Sequence, residues 1–322
     1  MIPGQYRLLL LALLVWPASA LAAESAMDWL MKMNVAVTSK NYDGIFVYRH
    51  GDQLEAMRIV HRANNGEHRE RLVSLNGEAR EVIRNDSNVI CYLPTKKSVM
   101  VEHRKSSGKN FPSILPHSLD QLASYYSLGL GKGDRVANRE TQLVYIKPKD
   151  AYRYGYQLWA DRNTGLLLRA NLINEKGQVV EQFMFTSINI GKKIRSIDLN
   201  PGYSGTKWAW YREKKGTESA GNKDVNWNAS QLPKGFSLSR RILRNSPMGN
   251  TPVEHLVYSD GLAAISVFIE PRDKKGKRKM KGATGMGAVH AFGTVVNNFQ
   301  ITVVGEVPAA AVAMIGNSIT YR

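Results

Sequence analysis

Asp161-Arg162-Asn163-Thr164-Gly165 and Asn174-Glu175-Lys176-Gly177 divide residues 152–190 into three apolar runs that include Leu158-Trp159, Leu166-Leu167-Leu168 and Phe183-Met184-Phe185. Short runs of this kind, bounded by Asn, Asp and Gly, read as strands joined by tight turns. The stretch is therefore an antiparallel meander. Upstream, residues 43–50, 54–61, 68–74, 78–84 and 88–93 repeat the pattern, punctuated by Asn64-Asn65-Gly66 and Asn76-Gly77. No helical pattern separates these strands, which excludes a βαβ fold.

Two helical patterns flank the strands. Ala26, Trp29, Leu30, Met33, Ala36 and Val37 recur at three- and four-residue steps, predicting an amphipathic helix over 25–39. A break over 105–116 holds Ser106-Ser107-Gly108, Pro112 and Pro116; a helix is expected over 118–128, with Ser118 as N-cap and Gln121 as its capping-box partner. With a further strand at 141–147, residues 24–203 form a first domain, a helix crossing a long curved sheet. Residues 204–228 are polar and aperiodic, as a linker is. In the second domain, 229–322, strands are expected at 236–243, 253–258, 262–270, 288–296 and 299–304. Pro308 opens a closing helix through Ile315, matching the preference of proline for a first helical turn.

The 322 residues are 43% hydrophobic and 22% charged, ordinary for a globular protein, but 44 Lys+Arg against 27 Asp+Glu leave a net charge of +17. Such a surface favours anionic partners. Arg7, the apolar run 8–16 and the small residues Ala18, Ala20 and Ala22 predict a cleaved signal peptide over 1–23. That run is shorter than the ~20 residues that span a bilayer. No cysteine lies near the cleavage site to carry a lipid anchor. Export makes nucleic acid a poor candidate partner. The single cysteine, Cys91, excludes an intrachain disulfide and a multi-cysteine zinc site.

Hydrolase and nucleotide-binding signatures (H-E-x-x-H, G-x-S-x-G, G-x-x-x-x-G-K-[ST]) are missing from the sequence. Gly129-Leu130-Gly131-Lys132-Gly133 follows the second helix candidate and reads as its stop. His50 and His61 end successive strands, where hairpin pairing would bring them together; the bland alternative is ordinary rim histidines. No catalytic residue, metal or cofactor is expected. Two features stand out. Residues 271–282 carry seven basic side chains and one acidic, Lys274, Lys275, Lys277, Arg278 and Lys279 among them. They are either a solvated loop or an electrostatic latch for acidic protein or lipid phosphate, acting within a Debye length of ~8 Å. The second feature is the apolar load of the sheet, which either fills a core or lines a ligand space.

Specific stretches resemble the RseB/MucB family of periplasmic sigma-factor regulators. They are Tyr154-Gly155-Tyr156-Gln157-Leu158-Trp159-Ala160-Asp161, Leu166-Leu167-Leu168-Arg169-Ala170, Glu181-Gln182-Phe183, Trp227 with Leu232-Pro233-Lys234-Gly235-Phe236, Leu256-Val257-Tyr258-Ser259-Asp260-Gly261-Leu262, and Ile301-Thr302-Val303-Val304-Gly305-Glu306-Val307-Pro308. The resemblance implies an α+β, mainly antiparallel fold: a large LolA/LolB-like unclosed β-barrel with helices at its mouth, and a small C-terminal sheet-and-helix domain. It also implies a non-enzymatic periplasmic regulator. Such a protein binds the periplasmic part of a single-pass anti-sigma factor of the RseA or MucA type, shields it from its first protease, and is released by lipopolysaccharide or a related acyl lipid. A lipid or lipoprotein carrier is the alternative, and needs only the large domain; a homodimer is left open. Partner contacts are expected at Tyr258, Ser259, Asp260 and the basic run, with Trp208 and Trp210 at the domain junction. Lipid contacts are expected from Phe111, Ile114, Leu115 and Leu122, facing Phe46, Ile59 and Trp159.

Overall fold

A computed structural model describes residues 24–64, 66–103, 115–116, 119–212, 227–245, 252–272 and 280–321. Helix α1 (Ala26–Ser39) starts where Ser25 and Asp28 close a reciprocal capping box, and it buries Trp29, Leu30, Met33, Ala36 and Val37 as the periodicity requires. Six strands follow in hairpin succession: β1 (Tyr42–His50), β2 (Gln53–Asn64), β3 (Glu67–Ser74), β4 (Glu81–Arg84), β5 (Asn88–Leu93) and β6 (Ser98–His103). Then come a single helical turn α2 (Leu122–Tyr125), β7 (Tyr126–Gly131), β8 (Arg135–Val136), β9 (Arg139–Pro148), β10 (Gly155–Asp161), β11 (Leu167–Ile173), β12 (Val179–Ile190) and β13 (Ala209–Arg212). These strands form one sheet in the order β13-β6-β5-β4-β3-β2-β1-β12-β11-β10-β9-β7, with β8 beside β9. All pairings are antiparallel except β13 with β6, and the ends β13 and β7 do not pair, so the sheet is unclosed.

Three expectations are corrected here. The helix expected over 118–128 is only one turn, because residues 126–131 pair with β9 from Tyr126–Pro148 to Gly131–Leu143; Gly129-Leu130-Gly131 is strand, not a helix stop. The start of the expected linker is built into the large sheet as β13, its Ala209 beside Ser98. His50 and His61 lie at opposite ends of the β1–β2 hairpin, where His50 faces Gln53 and Tyr42 faces His61. His61 instead stacks on Tyr42, with ring centroids 4.6 Å apart.

The small domain adds β14 (Trp227–Ala229), β15 (Ser237–Asn245), β16 (Pro252–Ser259), β17 (Ala264–Pro271), β18 (Gly282–Met286), β19 (Val289–Val296), β20 (Phe299–Gly305), α3 (Ala309–Asn317) and β21 (Ile319–Tyr321). Six of these strands form a sheet in the order β15-β16-β17-β20-β19-β18, and β14 pairs with β21. Pro308 caps α3, whose Ala311, Val312 and Ile315 share one buried cluster with Ile265, Val267, Ile301 and Val303. Each sheet thus has its own apolar cluster.

Candidate functional site

Strand alternation sorts the large sheet into two faces. The register aligns Tyr48, Phe183, Ala170, Leu158 and Val144 in one row across β1, β12, β11, β10 and β9. Phe46, Met57, Phe185, Ile59 and Leu72 share that face. Phe46 meets the rings of Phe183 and Phe185 edge-on, at 5.2 and 5.9 Å. Gly44 makes room for this, since a Cβ there would lie 2.9 Å from the Phe185 ring and 2.7 Å from the Ser187 carbonyl. Helix α1 covers the row, touching β2, β7, β9 and β11.

The segment around α2 completes the cover. Leu115, Leu119, Leu122 and Tyr126 are buried in the same cluster as Phe46 and Ile59. Asn34 on α1 donates a hydrogen bond to the Pro116 carbonyl at 2.8 Å, fixing the segment's start. Four of the residues expected at a lipid site, Phe46, Ile59, Leu115 and Leu122, therefore meet in one place. Phe111 and Ile114 lie outside the described residues. Trp159 belongs to the same buried cluster, but by strand register it falls in the opposite row, with Leu143, Arg169, Met184 and Val47. There the Arg169 guanidinium lies 4.2 Å from its ring. Its neighbour Leu158 takes the position facing the aromatics, a one-residue step that exchanges faces.

Of the residues expected at the partner surface, five are described. Tyr258 is buried in the small-domain core, where its hydroxyl accepts the Ala229 N–H at 3.0 Å. Ser259 donates to the Ala263 carbonyl at 2.7 Å and closes a turn. Asp260 has no exposed side-chain surface. Tyr258 and the Asp260 side chain offer a partner no open face; Ser259 is half-buried. Trp208 packs with Tyr203 against Ile83, Tyr92 and Val99, on strands β4–β6 rather than at a domain junction. Trp210 is 41% exposed and anchored by its indole N–H to the Gly205 carbonyl at 3.0 Å. Lys274, Lys275, Lys277, Arg278 and Lys279 lie outside the described residues.

Sequence reasoning missed the residues that join these parts, Tyr154, whose hydroxyl donates to the Ala288 carbonyl at 3.2 Å, and above all Arg153. Arg153, between β9 and β10, is the largest fully buried side chain among the described residues. Its guanidinium donates to Asp260 at 2.6 Å, to both oxygens of Asp150 at 3.0 and 2.8 Å, and to the Lys234 carbonyl at 2.6 Å. The rings of Tyr125, Tyr126 and Phe236 surround it at 5.1 to 5.4 Å. Burial disfavours its charge, but the Asp150 hydrogen bonds and the Asp260 carboxylate outweigh that, so Arg153 is held charged above its ordinary value. The Tyr126 hydroxyl donates to the same Asp260 oxygen at 2.8 Å; burial first, and then that carboxylate, keep it protonated. Asp260 also accepts the N–H groups of Leu262 and Ala263, and Leu262 inserts into the large-domain cluster. A polar hub thus links the covering segment, the β9–β10 loop and the small domain. Among the described residues, no helix is long and apolar enough to cross a membrane.

The chain matches two family models, the MucB/RseB N-terminal domain over residues 25–203 and the MucB/RseB C-terminal domain over 221–320. It is 35% identical over 316 residues to the sigma factor AlgU regulatory protein MucB of Pseudomonas aeruginosa, covering 97% of this chain and 95% of that protein. The sigma-E factor regulatory protein RseB of Haemophilus influenzae is 28% identical over 330 residues, 100% of this chain and 99% of its own. Among solved structures, MucB in complex with MucA(peri) is similar with a TM-score of 0.72 at 32% identity, over 92% of this chain and 99% of that one. The Pseudomonas aeruginosa MucA/MucB complex gives 0.74 over the same shares. With both domains matched in order along one chain, this protein belongs to the MucB/RseB family.

Proposed function

We propose that this protein is a periplasmic negative regulator of an envelope-stress sigma factor. It binds the periplasmic part of a membrane-anchored anti-sigma factor of the RseA or MucA type. While bound, it shields that partner from its site-1 protease, and lipopolysaccharide or a related acyl lipid releases it. The carrying observation is the similarity over 92% of the chain to MucB solved in complex with MucA(peri). The signal-peptide pattern over 1–23 supports export. The lipid half is supported by the apolar cluster that holds Phe46 and Ile59 beneath α1, closed beside that helix by Leu115 and by Leu122 of a single helical turn. The net charge of +17 suits a phosphate-bearing lipid and an acidic protein segment alike.

The test is protease protection. The protein is mixed with the periplasmic segment of its anti-sigma factor and the site-1 protease, and lipopolysaccharide is titrated in. Protection that lipid relieves supports both halves. Protection that lipid leaves unchanged removes the lipid half, and absence of protection removes the regulator. The carrier reading needs only the large domain. A fully buried Arg153–Asp260 pair joining the small domain to it counts against that reading.

A further inference from the structure

The covering segment has two attachments at once. Leu119, Leu122 and Tyr126 close the apolar cluster, while Tyr125 and Tyr126 wall in Arg153. Tyr125 is seated against Gly235 of the small domain, at φ +89°, where a Cβ would stand 2.4 Å from its ring. The small domain answers with Asp260, the Lys234 carbonyl and the Phe236 ring on Arg153, and with Leu262 inside the apolar cluster. An acyl chain entering this cluster competes for space with the residues that hold the small domain in place.

We infer that the cluster of Arg153, Asp260 and Tyr126 is the coupling element of the switch: lipid seated beneath residues 119–126 lifts Tyr126 off Asp260 and displaces Leu262, which frees the small domain from the large one. The inference rests on the lipid-released regulator proposed above. Arg153 acts as a positioning residue and touches neither ligand. Because coupling is reciprocal, a bound anti-sigma factor that needs the docked arrangement resists lipid by the factor with which lipid resists it.

A disulfide across the junction tests this. A Cβ at Gly261 would lie 3.9 Å from the Pro116 Cβ, within the span of about 3.5–4.5 Å that a disulfide bridges, at the cost of placing a side chain at φ +96°. The variant Pro116→Cys/Gly261→Cys is made in a Cys91→Ser background. Its affinities for lipopolysaccharide and for the anti-sigma factor's periplasmic segment are measured oxidised and reduced. Oxidation is expected to weaken lipopolysaccharide binding at least about tenfold, the worth of one charge-assisted hydrogen bond or more. It is also expected to keep the partner bound at lipid concentrations that release it from the wild type, and reduction restores release. Tyr126→Phe, which keeps the ring and loses the hydroxyl, shifts both affinities the opposite way and does not depend on the disulfide forming. Equal lipid binding and equal partner release by the oxidised and reduced protein, with Tyr126→Phe unchanged, overturn the coupling. A wild-type protein that binds neither partner nor lipopolysaccharide overturns the proposed function itself, a distinguishable result.

Discussion

Replacing Arg153 by Met is expected to undock the two domains without unfolding either. The guanidinium makes four hydrogen bonds, and its partner Asp260 shares its zero side-chain exposure. Removing one member of a buried pair costs about 3–5 kcal/mol, because the other charge is left unpaired. Asp260 keeps the Tyr126 hydroxyl and two backbone N–H donors, and Met preserves the apolar stem, so the cost falls near the lower end, about 3 kcal/mol. At roughly 2–4 °C per kcal/mol for units of 150–250 residues, this lowers the transition of the less stable domain by about 6–12 °C. Calorimetry reads it as a single endotherm splitting into two. Asp260→Asn retains the acceptor for Leu262 and Ala263 and loses the charge. The double variant then closes a cycle whose coupling energy should be about 2 kcal/mol or more. A coupling below about 0.5 kcal/mol, the ordinary scatter of independent sites, would refute the latch.

Three further outcomes follow from other parts of the molecule. Leu122→Ala opens a cavity in the apolar cluster and should cost about 2–5 kcal/mol in urea titration; a loss below 1 kcal/mol would show the segment loosely seated. Burial raises the pKa of the Asp161 carboxyl, but Arg139 and Thr164 outweigh it and hold the group below 3.8, so its contribution is complete above that value and is lost as pH falls through the lowered one. Asp161→Asn should therefore flatten the acid limb of the thermal midpoint against pH, and an unaltered limb would contradict the assignment. Changing Lys277, Arg278 and Lys279 together to Glu should weaken binding to the anti-sigma segment and flatten its salt dependence; unchanged affinity at low salt would mark the run as a solvated loop.

The elements legible in the sequence were those set by local chemistry. Ser25 and Asp28 stand at the start of α1, Pro308 at the start of α3, and the two meander turns close with Gly165 N–H on Asp161 and Gly177 N–H on Asn174. What escaped depends on distant partners. Residues 126–131 are strand because β9 lies beside them, and no local signal declares that. The β10 strand is buried on both faces, so alternation could not choose between Leu158 and Trp159. The turn at Ser259-Asp260-Gly261 was visible, but its role was not, since Asp260 meets an arginine 107 positions earlier. Arg153 lies in the loop between β9 and β10, and its enclosure is set by Asp260 and Phe236 of the small domain rather than by its sequence neighbours.

A lipid switch built this way has a chain-length threshold. Moving the partner's occupancy from 99% to 1% takes a differential affinity of about 5.5 kcal/mol. Opening the latch adds about 3 kcal/mol, the same buried-pair term as above. At ~0.8 kcal/mol per buried methylene, the sum asks for about eleven methylenes in contact with the cluster. Alkyl phosphates of graded length, each at saturation and below its micelle concentration, separate the terms, since the headgroup is constant. Chains of about eight carbons should bind and leave the anti-sigma segment in place, and chains beyond about twelve should release it. Weakening the latch with Tyr126→Phe should shift the threshold toward shorter chains by about two to four carbons, because one hydrogen bond to a charged group, about 1.5–3 kcal/mol, is worth as much as that many methylenes. Release that rises smoothly from the shortest chain, or a threshold that ignores Tyr126, would place the lipid somewhere other than beneath residues 119–126.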